Sequence, residues 1–286
     1  MSDSSLAAVV RAAAQRLADA GVPDPLIDAE LLAGHVADLR RGEVQAAIIR
    51  GDVIDEVTEA ALDLVVARRA AREPLQHITG TAPFRHLELA VGPGVFVPRP
   101  ETETVVQYAI DALLNSAEPA PIGVDLGTGS GAIALAMATE VPHARVFAAE
   151  LSEDAHAWAR RNVAGVENLT LVLSDLAEAF PELDGTASVV ISNPPYVPDA
   201  AIPRDPEVRL FDPAMALYGG DDGLDIVRVL SSRALRLLRP GGLLVIEHGE
   251  LQGESIRDIL TADGWRAAAT HRDLTLRDRS TTALRP

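Results

Sequence analysis

From Gly123 to the carboxyl terminus, short β-prone runs alternate with helical segments, and this alternation constrains the fold more than any other feature of the chain. GVDLG, ARVFAAEL, LTLVLSD, ASVVISNPP and GGLLVIEHG read as strands. Between and after them GAIALAMATE, SEDAHAWARRNVA, GLDIVRVLSSRALRLL and GESIRDILTADG read as helices, the third ending at RPGG. The tail from Trp265 to Pro286 supplies two last strands. Strands alternating with helices are the signature of a doubly wound α/β sheet, here of seven strands. Such a sheet takes ligands in the crevice beyond the carboxyl ends of its strands, so chemistry is sought there.

The amino-terminal part follows a different period. Leu6, Val9, Val10, Ala13 and Leu17 recur at i, i+3, i+4 spacing, and helical segments over Asp24 to Asp38, Gly42 to Arg50 and Asp55 to Arg72 follow, punctuated by Gly21, Pro23 and Gly51. Residues 1–75 are therefore expected to form a small all-helical domain, without a catalytic constellation. Residues 76–103 read as a β-hairpin linker, with ITGTAPF and LELAV as its strands and GPGVFVPRP closing it. Glu101 to Asn115 reads as a helix, and residues 104–286 make the sheet domain. For 286 residues, a small domain joined to a larger one is an ordinary size.

Composition removes several classes of function. The formal net charge is −17 and every basic residue other than histidine is arginine. So acidic a surface repels phosphate backbones, which disfavours a nucleic-acid partner, and the lack of lysine excludes a P-loop lysine or a Schiff base. Without cysteine there is no disulfide, thiolate metal site or cysteine nucleophile. His77, His86, His143 and His271 are scattered without ligand spacing, so no metal is expected. The start lacks a positively charged export signal, and charges interrupt each apolar stretch; a cytoplasmic protein without a membrane partner is the expectation.

The first candidate site is Asp125-Leu126-Gly127-Thr128-Gly129-Ser130-Gly131, a strand running through glycines into a helix. Glycine permits the tight turn and lets backbone approach a ligand closely. Its spacing, G-x-G-x-G, lacks the third glycine position of a dinucleotide fingerprint, and a plain strand-to-helix connection is the competing reading. Glu150 ends the next strand, where a carboxylate can accept both hydroxyls of a ribose; a solvated acid opening a helix with Ser152 is the alternative. Asp175 ends the third, where it could accept from the exocyclic amine of adenine or cap a helix. Three carboxylates at three successive strand ends suit an adenosine ligand that carries an ammonium group and no phosphate.

The deciding feature is Asn193-Pro194-Pro195-Tyr196 at the end of the fourth strand. Two prolines stiffen the backbone and remove two N–H donors, so the local carbonyls act as acceptors. The Asn193 side-chain oxygen and the Pro194 carbonyl can together take both hydrogens of an NH2 group, while the Tyr196 ring packs on the flat group that bears it. Such a site holds a planar nitrogen toward a methyl donor; a proline-rich turn that merely stops a strand is the competing reading. Glu247 and His248, in EHGELQG after the fifth strand, stand as either an acid-base pair or strand-end packing. Val197 to Gly223 is long for a connection in a compact domain and is expected to act as a flap.

With DLGTGSG and NPPY in this order, the chain resembles the amino-methyltransferases, and nearly all of it is similar to the release factor glutamine methyltransferases of the PrmC/HemK type. The similarity is carried by PLQHITG, FVPRPETE, DLGTGSGAIALA, SNPPYVP, EVRLFDPAMALYGGDDGLD and LLVIEHGELQG. It implies a Rossmann-like methyltransferase sheet, a helical amino-terminal domain for substrate recognition, S-adenosylmethionine as cofactor, S-adenosylhomocysteine as product, and methylation at N5 of the glutamine in the Gly-Gly-Gln loop of bacterial class I peptide release factors. Cofactor residues carried over are Gly127 through Gly131 (Gly127, Thr128, Gly129, Ser130, Gly131), Glu150 and Asn193, with Leu176 beside the adenine and Phe96 covering the cofactor; Asp125 and Asp175 join them from the reading of the strand ends. Asn193, Pro194, Pro195 and Tyr196 are the implied substrate-amide site. Two departures stand out, Glu150 where many members have aspartate and Leu176 where some have an aromatic. Arg99, Glu101 and Glu103 read as residues that fasten the linker to the sheet. A monomer is expected. The rivals are an adenine-N6 methyltransferase on DNA or RNA, which acidity disfavours, a nicotinamide dehydrogenase, and a non-catalytic binding module on the same fold.

Overall fold

In the computed structural model, which describes residues 4–286, the amino-terminal periodicity becomes α1 (Leu6–Asp19), α2 (Pro25–Ala37), α3 (Arg41–Arg50), α4 (Glu56–Ala70) and α5 (Leu75–Thr79). Two-residue strands, β1 (Ser4–Ser5) and β2 (Val53–Ile54), pair antiparallel. Pro25 opens α2 where its missing N–H costs nothing, Gly51 ends α3 in the left-handed region, and the Asp55 carboxylate caps α4 by accepting from the Val57 and Thr58 amides. Val10, Leu17, Leu32, Leu62 and Val66 fill the core of this unit. One expectation shifts here. Ile78 and Thr79 complete α5, stopped by Gly80 at φ 80°, so the hairpin begins only at Thr81.

The helical unit contains residues up to Thr81 and also Arg204–Phe211, from the middle of the long connection. The short helix Pro206–Phe211 brings Glu207, whose Oε1 accepts from Arg69 at 2.7 Å and from Arg72 at 2.9 Å, while Arg69 also donates to Asp28 at 2.7 Å. Arg69 is buried, and a buried guanidinium is tolerable only when its donors find anionic partners, so this network fixes the segment to α4. The connection after the fourth strand of the alternating region, expected to act as a flap, therefore contains a helix held in the helical unit.

The second unit comprises Ala82–Pro203 and Asp212–Pro286. Its hairpin strands are β3 (Thr81–Phe84) and β4 (Leu87–Ala90), followed by α6 (Pro100–Leu114). Then come, in chain order, β5 (Ile122–Leu126), α7 (Ala132–Glu140), β6 (Arg145–Glu150), α8 (Glu153–Asn162), β7 (Leu169–Leu173), β8 (Ala187–Ser192), α9 (Pro206–Phe211, the helix that belongs to the helical unit), α10 (Ala214–Leu217), α11 (Asp225–Leu237), β9 (Leu238–Glu247), α12 (Gly253–Ala262), β10 (Arg266–Arg272) and β11 (Asp278–Leu284). Seven strands form one sheet in the order β10-β11-β9-β8-β5-β6-β7, with the five strands from β9 to β7 parallel to one another and β11 antiparallel to both of its neighbours, β9 and β10. Period-two alternation divides the core. Val146, Ala148, Val189 and Ile191 join α6 and α7 on one face; Phe147, Ala149, Val190 and Ile246 join α11 and α12 on the other. Strand order reverses between β5 and β8, which opens the crevice at their carboxyl ends.

Candidate active site

The glycine loop leaves β5 at this switch point. Gly127, Gly129 and Gly131 have φ of 75°, 58° and 86°, a backbone that side-chain-bearing residues adopt only with strain, and a Cβ at Gly127 or Gly129 would meet no atom within 4 Å. The loop is therefore bent for its own geometry and leaves open space above its backbone. Asp125 lies beneath it, wholly buried, with Oδ2 accepting from the Thr128 hydroxyl at 2.5 Å and from the Ala134 amide in the first turn of α7 at 3.1 Å. Its Oδ1 is buried without a hydrogen-bond partner. Burial pushes the carboxyl up to about 7, against the opposing pull of Thr128 and Ala134 and with a further push from the Glu150 charge. A buried acceptor left open in this way suits an incoming ammonium group.

Glu150 closes β6 and lies across the loop. Its Oε2 accepts from the Gly129 amide at 2.7 Å and its Oε1 from the Ser152 amide at 2.8 Å. Burial raises its pKa, while the backbone amides of Ser152, Gly129 and Leu151 pull it down. Each oxygen accepts one backbone hydrogen and keeps a lone-pair direction for a further donor. Asp125, Thr128, Gly129 and Glu150 are thus brought together. Ser130 is buried, and its carbonyl accepts from Asn162, whose side chain also bonds both backbone groups of Ala90. Asn162 thereby ties α8, the hairpin and the glycine loop. Nothing in the local sequence marks it for this.

The outer residues of the expected cofactor set lie differently. Asp175 is exposed, two residues past the end of β7, and its Oδ1 accepts from the Ala177 amide at 2.9 Å, the local turn bond that competes with a ligand role. Leu176 is partly buried against the core on the α11 side of the sheet. The Phe96 ring lies under the Arg99 guanidinium at 4.8 Å, and Arg99 pairs with Asp212 at 2.7 Å. Glu103 accepts from the Arg85 amide at 3.0 Å in the hairpin turn, so this residue does fasten hairpin to α6.

Asn193-Pro194-Pro195-Tyr196 leaves β8 beside the glycine loop, with Asp125 paired to Ile191 and the Ser192 hydroxyl donating to the Leu126 carbonyl at 2.6 Å. Among the described residues no donor is bonded to the Pro194 carbonyl. The next carbonyls are fixed from elsewhere: Gln252 donates to the Tyr196 carbonyl at 2.9 Å while accepting from the Gly249 amide. Gly219 and Gly223 press on this backbone, since a Cβ at Gly219 would lie 2.4 Å from the Pro195 oxygen and one at Gly223 2.3 Å from the Tyr196 oxygen. Burial pushes the Tyr196 phenol up to about 12, helped by the charge of Glu247, so the phenol stays neutral. Glu247 is itself buried and pushed up to about 7. His248 is spent on structure, with Nε2 bonded to the Thr281 hydroxyl at 2.9 Å and Nδ1 to the Gly249 carbonyl at 2.8 Å, and burial lowers its pKa. The two do not form an acid-base pair. No group of three or more His, Asp or Glu among the described residues could hold a metal ion, and no helix there is long and apolar enough to cross a membrane.

The PrmC N-terminal domain family matches residues 8–80, and the methyltransferase small domain family matches residues 92–227. The release factor glutamine methyltransferase of Streptomyces coelicolor is 54% identical over 280 residues, covering 97% of this chain and 97% of that protein. The 4-amino-L-phenylalanine/4-methylamino-L-phenylalanine methyltransferase of Streptomyces pristinaespiralis is 40% identical over 261 residues, covering 90% of this chain and 87% of that protein. The crystal structure of a methyltransferase from Pyrococcus furiosus shares the fold, with a TM-score of 0.51 and 21% identity over 70% of this chain and 90% of that one.

Proposed function

This chain belongs to the release factor glutamine methyltransferase family and is a methyltransferase, and from that premise we propose that it methylates the side-chain amide nitrogen, N5, of the glutamine in the Gly-Gly-Gln motif of bacterial class I peptide release factors. The observation that carries the proposal is the place of Asn193-Pro194-Pro195-Tyr196 directly after β8, beside the glycine loop, with no donor among the described residues bonded to the Pro194 carbonyl. S-adenosylmethionine fits the donor side: Asp125 offers a buried open acceptor, Gly127 through Gly131 leave room over their backbone, and Glu150 keeps acceptor capacity. Phe96, Asp175 and Leu176 complete the proposed set. Bound there, the cofactor supplies an electrophilic methyl group on a sulfonium sulfur.

An amide nitrogen is a poor nucleophile because its lone pair is delocalised into the carbonyl. Asn193 Oδ1 and the Pro194 carbonyl accept its two hydrogens, returning electron density to nitrogen and fixing its direction, so orientation and electrostatics carry the acceleration. Tyr196, held neutral, packs on the amide plane and is no base at physiological pH. No base is needed before attack, and the proton leaves afterwards to water. The helical amino-terminal unit is the proposed recognition surface, and the cytoplasm is the proposed location, since release factors act there.

A second reading has a specific basis: the relative named for 4-amino-L-phenylalanine, which also offers an NH2 on a conjugated plane. Mass spectrometry of purified release factor, incubated with the protein and labelled donor, separates the two. A methyl group on the motif glutamine is expected; an unmodified release factor alongside turnover of 4-amino-L-phenylalanine would overturn the proposal.

A further inference from the structure

Beside Asn193 lies a carboxyl group with no part in the chemistry above. Ser192, the last residue of β8, pairs in register with Ile246 of the adjacent parallel strand β9, so Asn193 just past β8 and Glu247 at the end of β9 each follow this pair by one residue. Glu247 is 2% exposed, and its Oε2 has no hydrogen-bond partner. The groups that act on it come from every side: Thr102 and Glu101 of α6, Arg279 of β11, and Asn193 and Tyr196 beyond β8. Burying an acid without a bonded cation is costly, and strand-end packing alone would be served by an apolar side chain.

A carboxamide is nearly symmetric in shape, so packing alone does not decide which end of Asn193 faces the substrate. An ionised carboxylate does decide it, because it only accepts: it takes the Asn193 N–H and repels Oδ1. We propose that Glu247 is a positioning residue which, in its ionised form, holds the Asn193 amide nitrogen and so turns Oδ1 toward the substrate nitrogen. The inference rests on the reading of Asn193 as the orienting acceptor. A protonated Glu247 is also a donor, able to bond Oδ1 and withdraw it from the substrate. Burial is the largest influence on this carboxyl and raises it; Thr102 and Arg279 pull it down, Glu101 pushes it up, and Asn193 pulls it down, for a balance at about 7. The orientation of Asn193 is therefore set by pH in the neutral range.

The test uses the full-length protein, purified release factor and saturating S-adenosylmethionine, with single-turnover rates from about pH 5.5 to about 9. The parent rate should rise through a midpoint near 7. Glu247→Gln should be roughly 10- to 100-fold slower and flat across the range, while its donor affinity, measured by calorimetry, stays within about twofold. Thr102→Val removes a group that favours the ionised carboxyl, so its midpoint should move to higher pH with the plateau retained. The same shift should be visible without turnover, in the carbon-13 resonance of the Glu247 carboxyl. A Glu247→Gln protein with the parent's rate and pH profile would overturn the inference. So would a Thr102→Val protein with an unmoved midpoint, which decides the matter if Glu247→Gln does not fold. Asn193→Ala separates the two levels: if it matches the parent, the orienting role of Asn193 fails; if it is slow while Glu247→Gln behaves as the parent, only the role of Glu247 fails.

Discussion

Replacing Glu150 by glutamine tests the donor site with the least disturbance, because shape is kept and one oxygen remains. In the structure both carboxylate oxygens already hold backbone amides, Gly129 at 2.7 Å and Ser152 at 2.8 Å, and a ribose would use what acceptor capacity is left. The glutamine NH2 can accept from neither amide, so one backbone N–H loses its partner and one ribose hydroxyl loses a charged acceptor. A hydrogen bond to a charged group contributes about 1.5 to 3 kcal/mol, which corresponds to roughly a 10- to 150-fold weaker Kd for S-adenosylmethionine. Stability should respond far less. Gly129 is only half-buried, so water can reach its amide, and the neutral side chain relieves the burial that raises the Glu150 pKa. Calorimetric titration with S-adenosylmethionine, beside thermal melts of the ligand-free protein, separates these effects. An unchanged Kd in Glu150→Gln would place the ribose elsewhere, and a loss of Kd matched by a collapse in melting temperature would make Glu150 a loop brace only.

Asn193→Ala should lower single-turnover methylation by roughly 10² to 10³, with Asn193→Asp retaining measurably more activity and both still binding donor by calorimetry; an alanine protein as fast as the parent refutes the mechanism. Asp125 and Glu247 both titrate at about 7 when folded, above ordinary carboxylate values. Between roughly pH 4 and 7 the native state thus holds protons that the unfolded chain has released, so their contribution is full below the unfolded pKa and is lost as pH rises through 7. Urea unfolding of ligand-free protein should show stability falling over that window by on the order of a few kcal/mol, and Asp125→Asn should reduce the slope; a parallel pH dependence in the variant would count against it. Gly223→Ala must displace the Tyr196 carbonyl or the Gln252 amide, given φ of 75° and a 2.3 Å approach; we expect kcat to fall with donor affinity unchanged, and normal kcat would refute the brace.

Legibility in the sequence followed the range of the interaction. The seven strands were readable because alternation within a strand is local, and Val146 and Ala148 against Phe147 and Ala149 meet opposite layers as a period of two requires. The positive-φ glycines, Asp125, Glu150 and the NPPY segment were also readable, since each is defined by its place at a strand end. Asp175 has the same kind of position, two residues beyond β7, and there its carboxylate is exposed and accepts from the Ala177 amide. Partners distant in sequence were not readable. Asn162 reaches Ala90 and Ser130, Gln252 reaches Tyr196, and Glu207 joins Arg69 and Arg72 across more than a hundred residues. The pairing of Glu247 with His248 in sequence suggested joint chemistry, whereas alternation along β9 sends neighbouring side chains to different surroundings.

The two halves of the site are consequently built by different means. On the donor side, Asp125 bonds Thr128 and Ala134, and Glu150 bonds Gly129 and Ser152, contacts made within a loop and the strand ends that flank it. On the amide side, the backbone of Pro195 and Tyr196 is set by Gly219 and Gly223, at the far end of the long connection, and by Gln252. The donor half can therefore keep its geometry when the connection is perturbed, while the amide half cannot. Part of that same connection, Arg204–Phe211, is fixed into the helical unit by Glu207. Chain continuity thus runs from the segment proposed to orient the nucleophile to the unit proposed to recognise the substrate, and perturbing this connection should act on the methyl-transfer rate before it acts on cofactor affinity.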